Sequence, residues 1–501
     1  MSNSPATTGL HSKTIKGAQW LLVDNILQKV LNIVTFLVLA HKLLPADYGV
    51  MAVLFMVTGF FDMVTTPGFE KALLQRPREE TIRYLDTAWT FHLIKSFFIS
   101  FFIFLAAPLI VDFFHIESFV KIIQVGAWLI FIGSLGNSQQ LYFFKDFQYH
   151  KIFYRDIGSQ ISYMAVAFFW IVFVEASVWA LLMGHMARYA TGVILTYVLS
   201  SERSHFSFEF KKLRDLFNYS KWVMGQNVVG YVLGILDTIY IGRLLDSARL
   251  GLYTKARDLS FSVVAPFFNI LNKIGLTVYA EIQDKNAKLQ EGFLRSLDIM
   301  LGITIPVFFL LLAEGGMIVN VLLGSRWLGI VVPLKILAGA TIFSSLVTIT
   351  KPIFDGIGRP DINFKLNIIQ LLASLLFIFV GIKYFGLNGV AWAMAAIWFL
   401  LSAVCILTLK SILKLGAVMM WPTIATLGGA LFTTLGIAVP MYLLRMRYEH
   451  NPLLVIGWLV GLAIVYFFSI KIIGQRFSRG PWQTWLSLWH EVKRSTINVS
   501  V

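Results

Sequence analysis

A chain of 501 residues, 57% hydrophobic and only 14% charged, is far too apolar for a soluble globular domain, in which about 25% of residues are charged. Its 43 Phe and 14 Trp suit lipid contact and interfacial belts, so the composition defines an all-α polytopic membrane protein. The net charge of +15 and the single cysteine, Cys405, exclude an intrachain disulfide and raise the question of an anionic partner.

Windows of about 19 residues predict about 14 apolar spans. They run over 14–42, 46–68, 86–111, 118–143, 157–175, 177–199, 216–241, 249–273, 296–318, 328–350, 362–382, 386–409, 418–443 and 453–473. No cleavable signal is expected: "MSNSPATTGLHSKTIKGAQ" is polar, lacks an apolar core and runs straight into the first span. The intervening loops are short, which places function among the helices. After 474, "PWQTWLSLWHEV" sets Trp482, Trp485, Trp489 and Val492 on one helical face among basic residues. This tail, 475–501, reads as an amphipathic helix lying on anionic membrane lipid; a disordered basic tail is the other reading.

With the first residues inside and the spans alternating, most Lys and Arg outside the spans fall on the inner side. Examples are Lys71, Arg76, Arg78 and Arg83 in one loop and Arg203, Lys211, Lys212 and Arg214 in another. The positive-inside rule then puts both termini in the cytoplasm. The basic balance is topological and gives a nucleic-acid partner no support.

An internal repeat organises the chain. Shifted by 202 positions, Trp20, Asn25, Val30, Leu31, Ile33, Leu43, Ala46 and Gly49 meet identical residues, ending with Gly251. The shift lays span seven on span one in the same orientation. It predicts two six-helix lobes, 1–200 and 201–415, with spans 13 and 14 (416–474) appended; parallel repeats of this kind are a transporter architecture.

Span one carries an unusual polar stripe. Asp24, Asn25, Gln28, Lys29, Asn32 and Thr35 occupy an arc of about 140° on a helix, while the rest of the span is Leu, Ile, Val and Phe. Gln226, Asn227, Tyr231 and Asp237 repeat the stripe in span seven. A charge at mid-bilayer costs about 2.5–3.5 kcal/mol. The favoured reading is a water-filled cavity between the lobes, and the alternative is interhelical hydrogen bonding. Asp24 and Asp237 would there load and release a proton, unless cations such as Lys29 hold them as fixed ion pairs; a substrate-driven or other-ion cycle is the alternative.

Arg188, in "LLMGHMARYATGVIL", lies too deep in span six to snorkel and is expected to face the cavity. Lys95, in "FHLIKSFFISFF", either snorkels or lines the cavity. Lys255 and Arg257, in "GLYTKARDLSF", stand near the mouth of span eight, where Arg257 and Asp258 are also a possible pair. The lining is more cationic than anionic, which suits an anionic substrate. No HExxH, cysteine cluster or P-loop occurs, so no enzyme, metal or cofactor is expected.

The segments "KTIKGAQW", "LLPADYGVMAV" and "GFEKALLQR", followed by "LGLYTKARDLS", "VYAEIQDKNAKLQEGFLRSL", "IPVFFLLLAEGGMIVNVLLGSRW" and "IFDGIGRPDINFK", resemble the Wzx-type polysaccharide flippases. These form the polysaccharide branch of the multidrug/oligosaccharidyl-lipid/polysaccharide (MOP) superfamily, and the colanic-acid and teichuronic-acid exporters are the most similar type. The resemblance implies a MATE-like fold and a substrate of undecaprenyl-pyrophosphate-linked oligosaccharide, moved to the outer leaflet by alternating access. It implies an inner-membrane location, and a polysaccharide polymerase and export machinery as further partners. Related peptidoglycan-lipid flippases hold the pyrophosphate with cavity cations, a role open here to Lys29, Arg188 and Lys255 or Arg257. The rivals are a cation-coupled multidrug extruder, which should have an acidic cavity, and a non-transporting scaffold of a polysaccharide assembly complex.

Overall fold

A bilayer interior offers no water to satisfy backbone groups, so apolar segments of this length must become helices. The computed structural model describes residues 5–65, 69, 73, 77–262, 264–414, 421–433, 452–477 and 480–487, all of them helix, turn or coil. Among these residues, nine helices are long and apolar enough to cross a membrane. Contacts divide the chain into two compact units, Met1–Thr254 and Lys255–Val501.

The first unit contains α1 (Pro5–Ala40), α2 (Pro45–Thr65), α3 (Arg78–Phe113), α4 (Val120–Ser134) and the short α5 (Leu141–Lys145). It continues with α6 (Tyr149–Phe173), α7 (Val178–Leu199), α8 (Phe210–Leu244) and the start of α9 (Ser247–Ser262). The 36 residues of α3 extend about 54 Å at 1.5 Å per residue, more than a bilayer core. Its outer face leaves Phe98, Leu105 and Leu109 60–74% exposed, as a lipid-facing surface would.

Small residues allow close approach. Gly184 admits the Tyr163 ring and Gly192 faces the Ser159 hydroxyl, while Thr191 donates to Ser162 at 2.8 Å, so α6 and α7 form one tight hairpin. Helix α8 lies along α2, where the Tyr231 hydroxyl donates to the Met56 carbonyl at 3.0 Å and Gly59 makes room for the ring. At the start of α2 and α9, Gly49 faces the Ser247 carbonyl and Gly251 faces the Pro45 carbonyl, with no space for a Cβ at either. Pro45 and Ser247 are 202 positions apart, as are Gly49 and Gly251. The contact is therefore reciprocal, as around a local two-fold axis.

The second unit holds the rest of α9, α10 (Ala265–Glu281), α11 (Asn286–Leu323), α12 (Val331–Gly356) and α13 (Pro360–Leu413). Beyond these are α14 (421–433), α15 (Pro452–Gly474) and a short α16 (481–487). One expectation changes here. Span eight is two helices, because Pro266 in the first turn of α10 has no N–H to continue the ladder from α9. Spans 11 and 12 are a hairpin turned at Gly386, whose φ of 56° needs glycine, and Gly381 and Gly389 meet backbone to backbone across it. Residues 418–420 and 434–443 of span 13 lie outside the described residues.

Of the tail, residues 475–477 and 480–487 are described. The rings of Trp482 and Trp485 pack on Phe467, at 5.8 and 6.4 Å, and Trp485 lies against Gly302. Trp489 and Val492 lie outside the described residues. Asp298 anchors this packing. It is 3% exposed and accepts from Thr423 at 2.6 Å and Thr484 at 2.8 Å, joining α11, α14 and α16. Asp298→Ala would strand two buried hydroxyls and is expected to cost about 2–4 kcal/mol. A lowered thermal unfolding temperature in detergent is the check; an unchanged one would deny the anchor.

Candidate functional site

Helix rotation decides which polar groups face a common space. In the first unit, α4, α6 and α7 enclose a cavity of about 500 Å³ lined by Gln140, Arg155, Asp156, Ser159, His185 and Arg188, among others. A polar knot holds its α4 end. The Asn137 amide N–H donates to Thr196 at 2.9 Å, its side chain to the Glu202 carbonyl at 2.7 Å, and Ser204 donates to its side-chain oxygen at 2.8 Å. The Trp89 indole fixes the Gly136 carbonyl at 2.8 Å.

Arg155 is committed within the protein: it donates to Gln140 at 2.7 Å and pairs with Asp156 at 2.6 Å. Arg188, near the middle of α7, is different. Among the described residues, no hydrogen bond or ion pair engages its guanidinium. His185, one turn away, is packed between the rings of Phe55 and Tyr163 at 4.7 and 4.6 Å. The cavity thus has two guanidinium groups against one carboxylate, and it presents one of them with its donor fork uncommitted, the geometry suited to phosphate.

A second cavity, of about 480 Å³, shares Phe55, Gly133 and Tyr189 with the first. Asp62, His92, Thr58, Ser134 and Tyr231 complete its polar lining. Lys95 does not snorkel; it is 7% exposed and pairs with Asp62 at 3.2 Å.

The other expected site residues divide between packed and exposed positions. Asp24 is buried and accepts from Gln28 at 3.3 Å, close enough to Arg155 and Asp156 to feel both charges. Asn25 donates to the Leu21 carbonyl at 2.6 Å and Thr35 to the Leu31 carbonyl at 2.6 Å. These groups bond back along their own helix, as hydroxyls and amides in spans do. Lys29 is half-buried and Asn32 exposed. Asp237 is 3% exposed and accepts from the Tyr253 hydroxyl at 2.9 Å and the Thr238 amide at 2.7 Å; it is outside the linings of both cavities. Gln226 and Asn227 lie on α8, but their side chains fall outside the described residues. In the second unit Lys255 pairs with Asp258, at 3.1 Å, three positions apart on one helix face. Arg257 is half-buried.

Cysteine labelling tests the cavity directly, since Cys405 is fully buried. Val193→Cys, on the cavity wall, is expected to react with a membrane-impermeant thiol reagent. Thr238→Cys, at a 3% exposed position, is expected to stay protected. Equal protection at both would mean that the cavity is not water-filled.

A helical bundle with an apolar outer surface and a cation-lined internal cavity is the form of a membrane transporter. A family model described as "Polysaccharide biosynthesis protein" matches residues 38–332, and the chain belongs to that family. Its relatives include the teichuronic acid biosynthesis protein TuaB of Bacillus subtilis, 23% identical over 76% of this chain and 79% of that one. The lipopolysaccharide biosynthesis protein WzxC of Escherichia coli is 22% identical over 76% and 77%. The probable low-salt glycan biosynthesis flippase Agl15 of Haloferax volcanii is 26% identical over 44% and 46%. Among solved structures, the lipid II flippase MurJ in an inward closed conformation aligns with a TM-score of 0.67, at 14% identity, over 91% of this chain and 98% of that one. An inward-facing MATE-family transporter of the MOP superfamily aligns at 0.62, with 15% identity, over 77% and 94%. The chain therefore shares the fold of these two proteins.

Proposed function

We propose that this protein is an alternating-access flippase that moves an undecaprenyl-pyrophosphate-linked oligosaccharide from the inner to the outer leaflet for polysaccharide assembly. The observation that carries the reading is Arg188: an uncommitted guanidinium half-way along a membrane helix, opening on a cavity with a cationic excess. Such a group costs free energy to keep in a bilayer unless it meets an anion there. Relatives named for teichuronic acid, lipopolysaccharide and glycan biosynthesis support the substrate class. A cation-coupled drug extruder is the weaker reading, because the excess charge in the cavity is positive.

On this reading the protein is a multi-pass bacterial inner-membrane transporter and not an enzyme, with both termini cytoplasmic. The pyrophosphate meets Arg188 first, and Lys29, Lys95, Lys255 and Arg257 lie along the path of the substrate. The lobes 1–200 and 201–415 rock about their shared axis, and Asp24 is the acid placed to couple the cycle to protons. A polymerase and export machinery take over the flipped product. Purified protein in vesicles loaded with a fluorescent lipid-linked oligosaccharide tests the function. A membrane-impermeant glycosidase should reach inner-leaflet glycan only after transport, and protection equal to that in protein-free vesicles would overturn the reading.

A further inference from the structure

The two cavities of the first unit differ in charge, and the difference has a chemical meaning. The Arg188 cavity holds Arg155 and Arg188 against Asp156. The adjoining one holds Asp62, whose carboxylate is already neutralised by the buried ammonium of Lys95 at 3.2 Å. A compensated pair has no net attraction for a phosphate, but it still offers oxygen acceptors beside nitrogen donors. His92 adds a ring nitrogen, and Tyr189 and Tyr231 add aromatic surface. Two glycines bring these rings to the wall: the Tyr189 ring packs 3.1 Å from where a Cβ of Gly133 would stand, and the Tyr231 phenol fills the space that a Cβ of Gly59 would need. The Tyr231 hydroxyl is tied to the Met56 carbonyl, so its ring is held in one orientation.

A neutral, polar cavity with a few placed donors and acceptors and two tyrosine rings matches a polyol with apolar ring faces. Its volume, about 480 Å³, lies within the roughly 300–1,000 Å³ of small-molecule sites. It shares Phe55, Gly133 and Tyr189 with the Arg188 cavity, so a ligand whose phosphate sits at Arg188 can reach it with the next group along. We propose that the cavity walled by Asp62, His92, Tyr189 and Tyr231 is a sugar subsite that takes the lipid-proximal residue of the glycan. The inference rests on the flippase reading and adds where sugar recognition occurs.

The test measures binding of four lipids to the purified full-length protein. They are undecaprenyl pyrophosphate itself and the same lipid carrying one glucose, galactose or N-acetylglucosamine. At least one glycosylated lipid is expected to bind about tenfold more tightly than the bare one. His92→Ala is expected to remove that gain and leave bare-lipid affinity unchanged; Asp62→Asn, which uncovers the Lys95 charge, is expected to remove it without weakening bare-lipid binding, whereas Arg188→Gln weakens all four. His92→Ala leaves the Asp62–Lys95 pair in place, which guards against misfolding of the Asp62 variant. Absence of a preference for any sugar, or loss of bare and glycosylated binding together in both subsite variants, would overturn the subsite while leaving the flippase reading intact. If wild-type protein binds none of the four lipids, the flippase reading fails and the subsite falls with it.

Discussion

Arg188→Gln is expected to lower glycan translocation in vesicles about 100-fold, with expression and thermal stability close to those of the wild type. The size follows from the contact. A hydrogen bond to a charged group contributes roughly 1.5–3 kcal/mol, and a two-pronged guanidinium–phosphate contact has two, so losing both costs about 3 kcal/mol or more. Each 1.4 kcal/mol is a factor of about ten. Stability is spared because, among the described residues, no hydrogen bond or ion pair from the protein depends on this guanidinium. Arg188→Lys keeps the charge but not the planar fork, and an intermediate loss of about tenfold is expected. Arg155→Gln should behave differently, because Arg155 is bonded to Gln140 and Asp156 and its loss should lower stability along with transport. Normal translocation by Arg188→Gln would remove Arg188 from the substrate path.

The second large effect concerns the reciprocal glycine contact. Gly49→Ala and Gly251→Ala each place a methyl group on a backbone carbonyl, of Ser247 and Pro45 respectively. Backbone is not a flexible side chain end that can step aside, so α2 and α9 must separate. Overpacking of this kind typically costs about 1–3 kcal/mol, and the upper end is expected here because both atoms in collision are main chain. Gly225→Ala is the control: its Cβ meets nothing within 4 Å, and alanine in a helix is favoured over glycine by about 1 kcal/mol. Thermal unfolding should therefore move down for Gly49→Ala and Gly251→Ala and stay level or rise for Gly225→Ala. If all three behave alike, the close approach at the start of α2 and α9 is not a packing constraint.

The order of the helices could be read from hydropathy, since a bilayer leaves an apolar segment of about 20 residues no other satisfied state. The 202-position shift could also be read, because Trp, Asn and Gly matches survive in a chain of interchangeable apolar residues. Arg188 stood out for the same reason: an arginine half-way along a span has no interface within reach. Those are one-dimensional facts about cost. Which groups share a cavity is a matter of rotation and neighbours, which a polar stripe does not specify. Asp237 lies within about 20° of Asp24 in helical phase, yet the fold brings Tyr253 against it and closes it in hydrogen bonds. Arg155 was missed because it stands just before the expected start of span five, where a cation is ordinary; the helix in fact begins at Tyr149. Asp62 had a visible signal, an acid in the apolar run "GFFDMV". Its partner Lys95, 33 positions away on another helix, becomes its neighbour only when α2 and α3 pack. The sequence by itself determined that charges are buried in a membrane protein of this family. The tertiary structure decided which of them neutralise each other and, among the described residues, left the Arg188 guanidinium without a hydrogen bond or ion pair, because a carboxylate and an ammonium cancel only at contact distance.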